Sequence, residues 1–401
     1  YDGDRLYTVF KDFSGMASFE GNQHFQLPTT RHSIGGFYAA ISQYCFGNMD
    51  DAGKLMGLAA FGKKPVVDKD PFTWVDDCLL VNDEWKVSLQ SPAENYTRFT
   101  ASFQYYADVA LWAQKAVEKA VIMLFEKRKK LLPNRAWAYS GGVALNAVAN
   151  GKLLKSKIVH QLYIEPAAGD NGLALGCAYY GWLEVLKQKR ATPSKSTCFG
   201  KTYDGEISDL LRHNKRATYL PSSGELVHEV AQALHAQKTV GWFQSGSEFG
   251  PRALGRRSIL ASPLHHEMQL HINRDIKFRE DFRPFAPAVA LEDVKKYFVN
   301  GFYSPYMILV DEVKKEWHSQ LKAVSHKDGS ARVQTVEQEW NPLFYELLKA
   351  FESVSGVGVL LNTSFNRKGE PMVETPQEAL DVFENTALDL LVMGNWIIKK
   401  V

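Results

Sequence analysis

Lysine and arginine side chains set among glycines and prolines define the chemistry open to this sequence. In SEFGPRALGRRSILASP (247–263), Arg252, Arg256 and Arg257 lie between Gly250, Pro251 and Gly255. That pattern predicts a constrained loop whose guanidinium forks can meet a carboxylate or a phosphate. NRDIKFREDFRPFAP (273–287) adds Arg274, Lys277, Arg279 and Arg283 among aromatic and proline residues. From 248 to 283 there are seven Lys or Arg against five Asp or Glu. So small an excess does not make a nucleic-acid groove, which needs a broad phosphate-neutralising surface. Pairing of these arginines with Glu248, Glu280 and Asp281 on a surface is the plainer alternative. HKDGSARVQTV (326–336) places Arg332 after a turn, and LLNTSFNRKGEPMVETP (360–376) carries Asn362, Thr363, Ser364 and Asn366 out of an apolar strand. These small donors and acceptors suit a compact planar group such as a carbamate. No GxSxG elbow is present and the histidines lack HExxH spacing, so neither Ser/His/Asp nor zinc-protease chemistry is indicated.

Two glycine turns complete the chemically interesting residues. In YSGGVALN (139–146), Gly141 and Gly142 fall between a strand and a helix, where backbone N–H groups can approach phosphate, and Asn146 follows one turn in. In AAGDNGLALG (167–176), Asp170 takes the matching place. A carboxylate there repels phosphate unless a cation such as Mg²⁺ intervenes. Each turn is equally suited to a purely structural role.

The elements that must position these residues read as follows. YDGDRLYTVFKDF (1–13) predicts a β-hairpin about an Asp-Gly turn. Helices are expected over 32–46 and 51–62, the second closed by Gly62 as a C-cap, and over 108–130, with Val109, Trp112, Ala116, Ala120 and Met123 on one face. A short buried strand over 135–142 and a second over 157–166 each lead through a glycine turn into a helix, the grammar of an α/β domain. The polar stretch 187–197 predicts a domain boundary. The second half then predicts helices at 205–213 and 224–237, strands at 238–244, 282–291 and 356–365, and a mixed α/β sheet with its arginines on connecting loops. No repeat or low-complexity tract is evident.

Composition limits the rest. The 401 residues suit two or three domains of ~100–200 residues each. Forty-seven Lys and Arg against 45 Asp and Glu leave a net charge of +2, too little for a general field that would hold nucleic acid or an anionic membrane. Cys45, Cys78, Cys177 and Cys198 are scattered, with neither CxxC nor metal-ligand spacing, which fits a reducing cytoplasm. No apolar run approaches the ~18–20 residues of a membrane span.

GPRALGRRSILASP, IKFREDFRPFAP, DGSARVQTV and NTSFNRKGEPMVETP, in that order, resemble the C-terminal YrdC-like domain of the nodulation-protein and antibiotic O-carbamoyltransferase family. KLMGLAAFG, YSGGVALN and GDNGLALG resemble the second lobe of its actin-like, ATP-binding domain. The resemblance implies an α/β protein with a partial actin-like ATPase domain over 1–190 and a YrdC-like domain over 197–401. It implies that carbamoyl phosphate and ATP form carbamoyl adenylate, whose carbamoyl group then passes to a small-molecule acceptor hydroxyl or amine in the actin-like domain, with AMP released. Carried across, Arg252, Lys277, Arg283 and Arg332 surround carbamoyl phosphate and the ATP phosphates, and Asn362 contacts the carbamoyl end. Gly141, Gly142 and Asn146 match nucleotide-binding positions, Asp2 matches an acidic hairpin residue facing phosphate or metal, and Asp170 matches a ligand of a divalent metal, Mg or Fe.

The sequence departs from the family pattern at its start. The family's metal site also needs two histidines from an HxxxH helix in a first lobe that lies before the Asp-Gly hairpin, and His24 and His32 both follow it. The chain is then a truncated piece, one subunit whose partner brings the first lobe with the HxxxH helix, or a degenerate enzyme that only activates carbamate. Intact motifs favour the second. A non-catalytic regulatory subunit sensing nucleotide and carbamoyl phosphate, and an amide-forming relative of the family, stand as alternatives. The expected location is the cytoplasm.

Overall fold

The computed structural model describes residues 9, 33–75, 78–82, 84–89, 91–131, 136–190 and 196–400. The 1–13 hairpin, with Asp2, and also His24, His32 and the centre of the expected 187–197 boundary lie outside the described residues. The chain packs as two compact units, one holding 1–137 with 152–161 and the other holding 138–151 with 162–401.

The first unit is built on aromatic packing. Its long helix, Phe103–Leu131, extends the expected 108–130 period and buries Val109, Trp112, Ala116 and Ala120. Helix Ile34–Phe46 sets Phe37 edge-on against Trp112 and Trp85, with ring centroids 5.4 and 5.3 Å away. It ends at Gly47, whose φ of 71° makes the left-handed C-cap. Gly62 is not such a cap: its helix ends at Ala59, and a Cβ on Gly62 would stand 2.4 Å from that of Leu111. It is the close approach of the long helix that requires glycine here. Strands β1 (Phe72–Val75) and β2 (Cys78–Val81) pair antiparallel.

Two further strands, β3 (Ala136–Tyr139) and β4 (Gln161–Ile164), form a two-stranded sheet. The expectation of a buried strand fails at β3, whose residues alternate between exposed and half-buried because it belongs to this short ribbon and not to the large sheet. The helix expected after the first glycine turn is broken at Asn146: a 3₁₀ turn, Gly142–Leu145, precedes helix Ala147–Lys155. The Asn146 Oδ1 accepts from the Ala149 backbone N–H at 3.1 Å, capping that helix.

The second unit carries a nine-stranded mixed sheet. Its strands are β5 (Ala217–Tyr219), β6 (Val240–Phe243), β7 (Arg257–Ala261), β8 (Ala286–Ala290), β9 (Leu309–Glu312), β10 (Ser330–Val336), β11 (Val359–Ser364), β12 (Leu390–Met393) and β13 (Trp396–Lys399). Their order is β5-β13-β12-β6-β7-β11-β8-β10-β9, with β12–β6 and β10–β8 parallel and the other pairs antiparallel. Alternate residues serve opposite faces. Leu260, Ala288, Leu360 and Val392 pack with helices 223–235 and 342–355, whereas Ile259, Val289, Leu361 and Leu391 pack with Ile207, Ile272, Ile276 and Phe383. Both faces are thus covered, as the near-continuous apolar strands require. Among the described residues, no helix is long and apolar enough to cross a membrane.

Candidate functional site

The polar residues of the site continue one face of this sheet beyond its apolar core. On β10, Val336 packs under the helix pair, and the same period brings Gln334, Arg332 and Ser330 to that face. On β11 the step from Leu360 leads to Asn362 and Ser364. Between them runs β8, whose residues on this face are Ala286 and Ala288: Asn362 pairs with Ala286, and Gln334 with Ala288. Two residues before the Gln334–Ala288 pair, Arg332 comes level with Ala286. Asn362 and Arg332 therefore flank a small residue from two strand spacings apart, roughly 10 Å.

The loop before β7 closes over this floor. Buried Glu248 organises it: its Oε1 accepts from the backbone N–H of Leu254 and of Arg256, both at 2.6 Å, and its Oε2 from that of Arg257 at 3.1 Å. Gly255 has a φ of 97°, and a Cβ there would lie 2.3 Å from Phe344. The loop delivers Arg252, whose Nε is buried without a hydrogen-bond partner, as is the Nε of Arg332.

A π-helical turn, Ile272–Ile276, delivers the other cations. It ends in Lys277, 2% exposed, and Phe278, whose φ is 51°. Lys277 Nζ donates to Ser364 O at 2.6 Å, Ser364 Oγ at 3.0 Å and Asn366 Oδ1 at 2.7 Å, so its three protons tie the turn to the end of β11. Arg279 donates through Nε to Asn273 Oδ1 at 2.7 Å, and its guanidinium carbon lies 4.7 Å over the Phe285 ring. Arg283 lies 3.9 Å from Glu280.

These cations feel one another. Burial, and then the nearby Arg279 and Arg283, hold the Lys277 ammonium well below its ordinary range. Burial likewise depresses Arg332, with Arg252, Arg279 and Arg283 adding to it, and depresses Arg279, with Arg283 adding and Glu280 opposing. Arg252 is pulled down to about 10 by burial and by Arg283. Guanidinium groups stay protonated at neutral pH, so the site gathers positive charge out of water. A bound anion is what such an arrangement stabilises best, since it supplies both charge and hydrogen-bond acceptors.

Comparison with known proteins identifies the lineage. The family model for the carbamoyltransferase N-terminus matches residues 2–179, and that for the carbamoyltransferase C-terminus matches 231–400. Nodulation protein NolO of Bradyrhizobium diazoefficiens is 33% identical over 92% of this chain and 69% of its own length. The chain belongs to the carbamoyltransferase family. An uncharacterized Synechocystis protein is 36% identical over 96% of this chain and 70% of its own. The 3'-hydroxymethylcephem-O-carbamoyltransferase of Amycolatopsis lactamdurans is 33% identical, with 86% of this chain and 64% of that enzyme covered.

Within this carbamoyltransferase-family chain the structure brings Arg252, Lys277, Arg283, Arg332 and Asn362 into the second unit around the β8, β10 and β11 floor. Two expectations about its arginines are corrected. Arg332 lies within β10 and not on a connecting loop, because SARVQTV alternates as a strand. Arg257 does not project from the loop: it opens β7, fully buried, with its guanidinium carbon 3.5 Å over the Phe243 ring and NH1 donating to Gln244 O at 2.9 Å. Surface pairing holds for Arg274, whose Nε meets the Asp281 carboxylate at 3.0 and 3.1 Å. It fails for Glu248, which binds backbone N–H groups. Arg256 bridges Cys198 Sγ, Ser245 Oγ and Trp340 O, as a structural tie.

The glycine turns also fall in the second unit. Gly141 has a φ of 104° and its N–H donates to Ala168 O at 2.7 Å, linking the two turns, while Gly142 faces open space where a Cβ would stand. This region seats on β9: Asn150 Nδ2 donates to Ile308 O at 3.0 Å, and a Cβ on Gly151 would come within 2.2 Å of Val310 O. Val310 pairs directly with Arg332. Asp170 is exposed, and among the described residues no group of three or more His, Cys, Asp or Glu gathers to hold a metal. Asp170 does not make a metal site by itself. Sequence reasoning missed Glu248 as the loop's organiser and missed Gln334 altogether.

Proposed function

We propose that the chain carries out ATP-dependent carbamoyl transfer. Water cleaves carbamoyl phosphate to carbamate and phosphate on the β8, β10 and β11 floor, and a carbamate oxygen then attacks the α-phosphorus of ATP, forming carbamoyl adenylate and releasing pyrophosphate. The carbamoyl group then passes to a hydroxyl or amine of a small molecule, and AMP leaves. The second unit's sheet is read as YrdC-like, and the strand-turn-helix segments at 136–155 and 161–180 as part of an actin-like domain. The observation that carries the reading is the convergence of Arg252, Arg279, Arg283 and Arg332, with the Nε–H groups of Arg252 and Arg332 buried and unpaired.

Each group has a distinct task. Guanidinium groups preorganised around the phosphates stabilise charge that grows on transferring oxygens, without reorganisation during the reaction. Lys277 holds the Ser364–Asn366 turn through its Nζ. Gly141 and Gly142 offer backbone N–H groups for the nucleotide, and Asp170 is the candidate ligand of a divalent ion that would steady the second step. The test is release of pyrophosphate from ATP. It should require carbamoyl phosphate and should be lost in Lys277→Ala and Arg332→Ala; an unchanged rate in both variants refutes the placement.

A further inference from the structure

The orientation of the Asn362 amide is fixed by two backbone carbonyls, and it leaves a buried acceptor without a partner on the sheet face that also carries Arg332. Leu254 O can only accept, so the group that meets it at 2.9 Å must be Gln334 Nε2. The Gln334 Oε1 is thereby turned towards Asn362, whose Nδ2 donates to it at 2.7 Å and to Ala253 O at 3.2 Å. Both protons of the Asn362 amide are used on acceptors, and a flipped amide would set oxygen against oxygen twice. Asn362 is 1% exposed, and its Oδ1 has no hydrogen-bond partner.

Beside donors such as Arg252, Arg279, Arg283 and Arg332, this unpaired neutral acceptor asks for something a phosphate cannot give. A ligand group seated there must carry an N–H or O–H. Resting on the reading above, we propose that Gln334 is a positioning residue that holds Asn362 Oδ1 as an acceptor, so that the site selects acyl phosphates bearing an amino group over those bearing a methyl. Carbamoyl phosphate satisfies the acceptor through its NH₂. Acetyl phosphate, of nearly the same size and charge, leaves it buried and unpaired, which is the type of mismatch that hydrogen-bonding sites reject most strongly.

The substitution that tests this is mild. Gln334 lines a cleft of about 50 Å³ with Thr197, Cys198, Arg256, Trp340 and Asn341, so Gln334→Leu does not overpack it. Leu254 O keeps the Asn341 Nδ2 as a partner at 3.3 Å. In the variant one Asn362 N–H loses its acceptor and the amide is no longer held.

The measurement is equilibrium binding of carbamoyl phosphate and of acetyl phosphate to the full chain without ATP, by titration calorimetry. The wild type should bind carbamoyl phosphate at least about tenfold more tightly, and in Gln334→Leu that ratio should fall several-fold at a temperature well below the variant's own thermal midpoint. Equal affinities in the wild type overturn the inference whatever the variant does, as does a ratio unchanged in Gln334→Leu. Neither result bears on pyrophosphate release, so the inference can fail while the proposed reaction stands. Failure of the wild type to bind either acyl phosphate overturns both.

Discussion

Removing the charge of Arg332 should separate function from stability. Its guanidinium sits among Arg252, Arg279 and Arg283, each of which opposes its positive charge. Arg332→Met is expected to lower carbamoyl-phosphate-dependent pyrophosphate release by about a hundredfold or more. The same change should raise the ligand-free thermal midpoint, because it relieves buried like-charge repulsion. A midpoint that falls would show Arg332 to be a structural residue. His326 gives a second residue-scale prediction. Burial, with Arg332 adding and Asp328 opposing, takes its imidazole from 6.5 down to about 4, and its Nδ1 lies 2.9 Å from Ser330 Oγ. As pH falls, the unfolded chain takes up this proton first. The stability tied to His326 is therefore complete above about 6.5 and is lost as pH falls towards about 4. Thermal midpoints measured across that window should drop less in His326→Asn than in the wild type. Residue types made the candidate cations legible in the sequence: arginine and lysine among glycine, proline and aromatic residues single out Arg252, Lys277 and Arg283, while Arg332 enters the set through the family resemblance. Gln334 and Glu248 were illegible for a physical reason. Their partners are backbone groups, Leu254 O for Gln334 and the N–H groups of 254, 256 and 257 for Glu248, and backbone groups leave no trace in residue identity.

At the scale of elements, the strand face and the loop that caps it act together. Gly255 combines a φ of 97° with a would-be Cβ 2.3 Å from Phe344, a residue of the helix pair's core. Gly255→Ala should cost about 2–4 kcal/mol of stability, from left-handed backbone strain plus overpacking. It should also raise the KM for carbamoyl phosphate by displacing Arg252, which chemical denaturation and steady-state kinetics check separately. Periodic elements were legible here. The long helix over 103–131 and the apolar strands β6, β8 and β11 follow directly from spacing and from residues that must be covered on both faces. Local breaks were not. The helix read after the first glycine turn divides at Asn146 because its side chain caps the second part, and the DGS turn obscured that SARVQTV alternates as a strand. Gly62 looked like a helix stop because the demand of its neighbour Leu111 comes from a distant segment.

For the whole molecule, a net charge of +2 is uninformative about a site that concentrates its cations locally. Carbamoyl phosphate and ATP are small anions, and a few placed guanidinium groups serve them better than a diffuse field. The two steps of the proposed reaction use different residues, so they should separate under mutation. Asp170→Ala is expected to leave carbamoyl-phosphate-dependent pyrophosphate release within about twofold of the wild type while reducing carbamoylation of an acceptor at least about a hundredfold; equal loss of both activities would put Asp170 in the first step. The most direct test of the central claim is exchange of radiolabelled pyrophosphate into ATP by the purified chain. Exchange that requires carbamoyl phosphate and disappears in Arg332→Ala is the predicted result. Exchange that proceeds without carbamoyl phosphate, or is absent from the wild type, would contradict the account.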